Sequence, residues 1–212
     1  MKRYKQFCSV ARALDVVGDR WALLVVRELL LGPRRYSDLL EGLPGIGTNV
    51  LSTRLRDLRA AGIVVHRRTP KPTPATVYEL TADGRDLRSV VDALVRWGAR
   101  RLTAPDTDDI LDPRWFVGSL AALIDGKTLV EGTTYRLDVD GAPFTLDARG
   151  GDIAASHGPP PAATATLKGT LRDFFNATRG DKTAARRLVV EGDVRAANKL
   201  LAAMTGAATR TT

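Results

Sequence analysis

Tyr36-Ser-Asp-Leu-Leu-Glu-Gly-Leu43, Pro44-Gly45 and Thr48-Asn-Val-Leu-Ser-Thr-Arg-Leu-Arg-Asp-Leu-Arg-Ala-Ala-Gly62 decide the fold of the first half. The first segment is a short amphipathic helix stopped by a proline that cannot continue it. The second places Leu51, Leu55 and Leu58 on one helical face and ends on a capping-type glycine. At 100° per residue the opposite face carries Asn49, Thr53, Arg56 and Ala60, with Ser52 on its flank. Asparagine, arginine and short hydroxyl side chains are the types that read base edges in a major groove.

The chain then turns to strands. Ile63-Val-Val-His-Arg-Arg-Thr69 is β-branched and alternating, and Thr76-Val-Tyr-Glu-Leu80 supplies an antiparallel partner. Pro70-Lys-Pro-Thr-Pro-Ala75 between them forms a stiff tip, charged by Arg67, Arg68 and Lys71 for phosphate contact. Two short helices followed by a basic hairpin describe a winged helix-turn-helix.

Charge separates the halves. Residues 1–104 hold 19 Lys and Arg against 10 Asp and Glu, whereas the remainder holds 13 against 14. The basic excess therefore lies wholly with the winged helix, as expected of a part that meets a polyanion. No apolar run approaches the roughly 20 residues that cross a bilayer. The start, Met1-Lys-Arg-Tyr-Lys-Gln6, leads into an amphipathic helix instead of a signal segment, so a cytoplasmic location without membrane attachment is expected. A single cysteine excludes an intrachain disulfide and a multi-cysteine zinc site.

Upstream, Cys8 to Leu39 contains two helices joined at Gly18-Asp19. Cys8, Gly18-Asp-Arg-Trp21, Gly32-Pro-Arg-Arg-Tyr-Ser-Asp-Leu39, Leu55-Arg-Asp-Leu58, Ala61-Gly-Ile-Val64 and Tyr78-Glu-Leu-Thr81 follow one another in an order that resembles the HxlR family of bacterial winged-helix regulators. The resemblance spans about residues 6–102. It implies double-stranded DNA as partner, with Arg34, Arg35, Thr48, Asn49, Ser52, Thr53, Arg56, Arg67, Arg68 and Lys71 as candidate contacts. It also implies a homodimer built from the N-terminal helix and from Thr81–Gly98, where Leu87, Val90, Val91, Leu94 and Gly98 share a stripe. Intrachain packing is the alternative use of that stripe. A two-fold dimer presents two recognition helices about 34 Å apart to a near-palindromic operator.

Several relatives of this kind sense oxidants through a cysteine near the N-terminus, and Cys8 matches that position, flanked by Lys2, Arg3, Lys5 and Arg12. A buried, inert thiol is the alternative.

Beyond Ala104–Asp109, an acidic linker, the resemblance stops. Pro113–Ile124 reads as a helix, and Thr134–Ala148 alternates on both sides of Asp140-Gly141 as a hairpin. Strands are expected at Asp152–Ser156 and Ala163–Lys168 around the Gly158-Pro-Pro-Pro161 loop. A capped helix follows over Thr170–Ala177, then a short apolar piece at Leu188–Asp193 and a closing helix from Val194 to Met204. Gly169-Thr-Leu-Arg-Asp-Phe-Phe175 and Leu188-Val-Val-Glu-Gly-Asp-Val-Arg-Ala-Ala-Asn-Lys-Leu-Leu201 are similar to the closing part of sterol carrier protein type two (SCP-2-like) domains. That resemblance implies an apolar interior for a hydrophobic small-molecule effector, with Phe116, Leu120, Phe144, Phe174 and Phe175 as candidate lining. Ordinary core is their other reading.

The expected architecture is α+β: a winged helix-turn-helix DNA-binding and dimerisation domain over 1–103, a linker over 104–109, and an SCP-2-like α+β domain with a small antiparallel sheet over 110–212. His66 and His157 stand in no ligand or nucleophile spacing, so no metal, no cofactor and no catalysis are expected. Gly45-Ile-Gly47 is a helix-to-helix turn, since no strand precedes it and no third glycine follows. Binding is the expected activity, as a transcription regulator. A hydrophobic-ligand carrier whose N-terminal module only mediates protein contacts is the alternative, disfavoured by the basic wing and the base-reading face.

Overall fold

The computed structural model describes residues 3–69, 74–102 and 108–209, the side chains of 207–209 excepted. Packing divides the chain into two compact units, Met1–Val91 and Asp92–Thr212.

The first unit begins with α1 (Ser9–Val17), α2 (Ala22–Leu30), β1 (Arg34–Arg35), α3 (Tyr36–Glu41) and α4 (Thr48–Ala60). It continues with β2 (Val64–Arg68), β3 (Thr76–Leu80), α5 (Ala82–Asp86) and the start of α6 (Arg88–Ala99). The three α4 leucines are at most 2% exposed and pack in a core with Val25, Val26, Leu39 and Leu80. The end of α4 is closed by bonds from Gly62 N–H to the Arg59 carbonyl and from Ile63 N–H to the Leu58 carbonyl, which occupy carbonyls the helix leaves open.

Two features depart from the expected order. The pair Arg34–Arg35 is a strand: β1 adds to β3 antiparallel, giving a sheet ordered β1-β3-β2. Two residues are too few to show an alternation, and their partner is over 40 residues away, so nothing local announces them. Second, the helix expected from Thr81 onward breaks at Leu87 into α5 and α6. Thr81 caps α5 as anticipated, accepting from Gly84 N–H at 3.0 Å. Gly84 then packs so closely that a Cβ there would stand 2.2 Å from the Ile63 carbonyl oxygen. The short helix is held against Ile63, just before β2, and against Leu80 at the end of β3, and the chain redirects before α6.

In the second unit, α7 (Pro113–Leu123) starts at a proline whose missing N–H costs nothing at a helix start, and Asp112 caps it by accepting from Arg114 N–H at 2.8 Å. A single 3-10 turn at Gly126–Thr128 leads to β4 (Thr133–Val139) and β5 (Ala142–Arg149). Asp140 and Gly141, with φ of 50° and 80°, form the turn between them, the left-handed pair that suits a two-residue hairpin. Next come β6 (Asp152–His157), β7 (Ala165–Gly169), α8 (Leu171–Thr178), α9 (Lys182–Arg187), β8 (Val189–Gly192) and α10 (Val194–Thr209).

The sheet has five strands in the order β6-β5-β4-β7-β8, and the β4–β7 pair is parallel, so the expected antiparallel sheet is mixed at one ladder. Residues 158–164 cause this by carrying the chain from β6 past β5 and β4 to the far side. Three strand spacings are about 14 Å, and seven residues in a polyproline-like extension reach about 22 Å. The Pro159–Pro161 run is therefore long and stiff enough to make a crossover without a helix. The apolar piece after Leu188 forms β8, which pairs with β7, and α9 precedes it as a helix whose six residues, two of them alanines, carry almost no apolar period to mark it. One sheet face, with Tyr135, Leu137, Val139, Phe144, Leu146 and Leu167, is buried with Val117, Leu120, Phe174, Leu200 and Met204 of the helices.

Candidate nucleic-acid interface

With its leucines turned inward, α4 leaves Thr48, Asn49, Ser52 and Arg56 exposed and Thr53 half-buried. The Tyr36 hydroxyl, at the start of α3, donates to the Thr48 carbonyl at 2.8 Å and lies 3.1 Å from Ser52 Oγ. That contact pins α3 to the first turn of α4, so Ser52 has an intramolecular partner as well as an outward position. Arg54, which the sequence reading did not single out, is an anchor: its guanidinium forms ion pairs with Asp19 and, at 3.5 Å, with Asp57. The i,i+3 spacing of Arg54 and Asp57 was visible in the sequence. Asp19, 35 residues earlier, was not traceable as its partner.

The two arginines before α3 separate. Arg35 is exposed and its N–H donates to Asp38 at 3.0 Å, whereas Arg34 is buried. Successive residues of β1 point to opposite sides, so of these two candidate DNA contacts Arg35 lies on the exposed surface and Arg34 is turned inward.

On the wing, Arg68 is exposed, and Arg67 crosses to Glu79 at 2.7 Å. With 65% of the Arg67 side chain in solvent the pair is weakly held, and phosphate can replace the carboxylate at little cost. Lys71 lies outside the described residues. Cys8 is exposed at the N-terminal boundary of α1, which removes the buried-thiol reading.

In the second unit, Leu120, Phe144 and Phe174 are at most 2% exposed, and the ring of half-buried Phe116 lies 6.1 Å from that of Phe174. These four candidate lining residues meet in the packed layer between sheet and helices. Phe175 stands apart, half-buried, with the Arg179 guanidinium 5.7 Å from its ring. A cavity of about 460 Å³ lies on the other side of the sheet, under the proline crossover, and is lined by polar groups including Thr134, Thr145, Asp147 and Ser156. Among the described residues no cluster of three His, Cys, Asp or Glu is placed to hold a metal ion, and no helix is long and apolar enough to cross a membrane.

Residues 16–106 match the model of the HxlR-like helix-turn-helix family, and residues 128–205 match that of the SCP-2 sterol transfer family. An uncharacterized HTH-type transcriptional regulator of Synechocystis sp. is 38% identical over 92 residues, covering 43% of this chain and 68% of that protein. Another from Mycobacterium tuberculosis is 40% identical over 98 residues, covering 46% and 61%. The YtcD regulator of Bacillus subtilis is 32% identical over 117 residues, covering 53% of this chain and 90% of its own. Its crystal structure, described as a putative HTH-type transcriptional regulator, aligns over 45% of this chain and 97% of that one, with a TM-score of 0.42 and 32% identity. The HxlR-like match spans the winged helix built from α2 to β3, and the SCP-2 match spans β4 to β8 and most of α10. The chain belongs to the HxlR family of helix-turn-helix transcriptional regulators, and its C-terminal half carries an SCP-2 sterol transfer family domain.

Proposed function

We propose that this regulator is a cytoplasmic homodimer that reads a near-palindromic operator with α4, grips the flanking phosphates with its wing, and takes a hydrophobic effector in its C-terminal domain. The observation that carries the DNA reading is the division of labour on α4. Its leucines are buried to 2% exposure or less, while Asn49, Ser52 and Arg56 face outward next to a basic hairpin. Arg56 is the base-reading cation and Arg35, Arg67, Arg68 and Lys71 are phosphate contacts. Base contacts of this kind supply about 1 to 3 kcal/mol of discrimination each, whereas phosphate contacts set the salt dependence. In a gel shift with DNA upstream of its own gene, Arg56→Ala is expected to weaken the cognate site far more than random DNA. Replacing Arg67 and Arg68 is expected to weaken both and flatten the salt slope. Equal losses for both variants on both DNAs would refute the assignment.

The dimer draws support from apolar side chains left in solvent: Val10 and Leu14 on α1, and Val90, Leu94 and Trp97 on α6, at 42% to 67% exposure. Within α6 the anticipated stripe divides, Val91 turning into the core and Val90 and Leu94 turning out, which serves packing and self-association together. Leu94→Asp with Trp97→Asp is expected to give a monomer by light scattering, and a persistent dimer would exclude this surface. The functional domains are residues 1–103 for DNA binding and dimerisation and 110–212 for the effector. An effector acts through its differential affinity for the DNA-competent arrangement, and a typical coupling is about 1 to 3 kcal/mol. Cys8, exposed at the start of α1, offers a second input by oxidation. Its test is loss of any diamide effect on operator affinity in Cys8→Ser.

A further inference from the structure

The charge of the C-terminal half is itself segregated. Residues 105–169 hold 5 Lys and Arg against 10 Asp and Glu, whereas residues 170–209 hold 7 against 4. The second group forms the layer of α8, α9 and α10 with β8.

Its carboxylates are all engaged. Asp173 pairs with Arg187 at 2.6 Å and accepts from Thr170. Asp181 caps α9 through Thr183 and Ala184 N–H, and Asp193 caps α10 through Arg195 and Ala196 N–H. Glu191 pairs with Lys168 at 2.7 Å. The remaining cations differ: apart from Arg179, whose guanidinium lies by the Phe175 ring, none has a side-chain hydrogen-bond or ring partner among the described residues. Arg172, Arg179, Lys182, Arg186, Arg195 and Lys199 are all exposed, and among the described residues none of them forms an ion pair. Arg172 and Arg179 stand seven positions apart along α8 and its end, and Lys182 and Arg186 one turn apart on α9, so each pair shares a helix side. An ordinary solvated surface intersperses the two signs. Here the acids are consumed by helix starts and by ion pairs with Arg187 and Lys168, and the excess cations are left facing solvent.

We propose that this helical layer is a second DNA surface, which contacts the phosphate backbone of duplex flanking the site read by α4. The proposal rests on the DNA-binding reading of the N-terminal unit, which makes a duplex the polyanion at hand. It assigns the C-terminal domain a direct part in affinity. No sequence information is read here, because arginine and lysine on phosphates neutralise charge and displace counterions without addressing base edges.

The test uses the full chain and the site it selects from random-sequence DNA, prepared as a minimal duplex and as one extended by about ten base pairs on each side. Wild type is expected to bind the extended duplex more tightly and with the steeper salt dependence. Arg179→Gln with Lys182→Gln, and separately Arg172→Gln with Arg186→Gln, are each expected to lower the slope of log K against log salt on the extended duplex by about 1 to 2. Both should leave the minimal duplex unchanged. Lys127→Gln with Arg149→Gln, exposed cations on the strand side of the same unit, removes the same charge and is expected to change neither duplex. If both helical pairs match wild type on the extended duplex while Arg56→Ala still weakens the minimal one, this surface is refuted and the recognition helix stands. If Arg56→Ala also leaves the minimal duplex unaffected, the reading of α4 fails instead. Loss of binding to phosphatidylglycerol vesicles without any loss on DNA would make the face a lipid contact and overturn the proposal.

Discussion

Arg54 joins α4 to the turn before α2, and removing its partner tests whether the recognition helix depends on that joint. At roughly 4 Å a unit pair is worth about 1 kcal/mol in water and about 4 at an effective dielectric constant of 20. The Arg54 side chain is 18% exposed and Asp19 is 50% exposed, so solvent screening brings the pair toward the lower figure, about 1 kcal/mol. Asp57 at 3.5 Å keeps Arg54 partly neutralised when Asp19 is lost. Asp19→Asn is therefore expected to lower the melting temperature of the N-terminal transition by about 4 to 8 °C, the usual response of a unit this size to 1 kcal/mol. If the same joint sets the angle of α4, specific operator affinity falls by about 5-fold as well. The assay is a double-mutant cycle of Asp19→Asn and Arg54→Gln, read by calorimetry and by operator titration. The cycle isolates the Asp19 share because Arg54→Gln also removes the Asp57 contact. A coupling below about 0.3 kcal/mol in stability, with operator affinity additive across the cycle, would show that the joint does not orient the helix.

Three further changes separate the forces elsewhere. Gly84→Ala places a methyl 2.2 Å from the Ile63 carbonyl oxygen, and backbone cannot yield there, so a loss of about 1 to 3 kcal/mol is expected in denaturant unfolding; a neutral result would mean that α5 is free to shift. Burial raises the pKa of Tyr135 above the usual 10.0, outweighing the lowering by the Thr133 side chain and the Val130 backbone beside it, neither of which makes a well-formed hydrogen bond to its hydroxyl. Its contribution is complete below pH 10.0 and is lost as pH rises, when the unfolded phenol ionises first, so Tyr135→Phe is expected to resist alkaline unfolding better than wild type. Hydrogen bonds from Thr170 and Arg187 lower the pKa of Asp173, so its contribution is present above the unfolded carboxylate pKa and is lost as pH falls through the folded one. Asp173→Asn should then flatten the acid limb of the stability curve, and an unchanged limb would exclude it.

The recognition helix was legible because Leu51, Leu55 and Leu58 repeat at helical spacing, and that repeat also says which residues must face outward. The β4–β5 hairpin was legible for an equally local reason: alternation on each strand and an Asp140-Gly141 turn that tolerates positive φ. Cap residues Thr81 and Thr170 carried the same short-range information, since each cap bonds an N–H three residues on. Local period, turn chemistry and charge distribution together determined a basic winged helix followed by an acidic-to-basic α+β half. Tertiary structure alone decided the rest. It buried Arg34 by pairing β1 with β3, joined Arg54 to Asp19, made β4 and β7 parallel, and packed Phe116, Leu120, Phe144 and Phe174 together while leaving Phe175 aside. Each of those outcomes depends on a partner tens of residues distant or on a crossover path. A periodicity read over one or two turns holds no term for either, because burial and pairing are set by the whole fold and not by the segment that undergoes them.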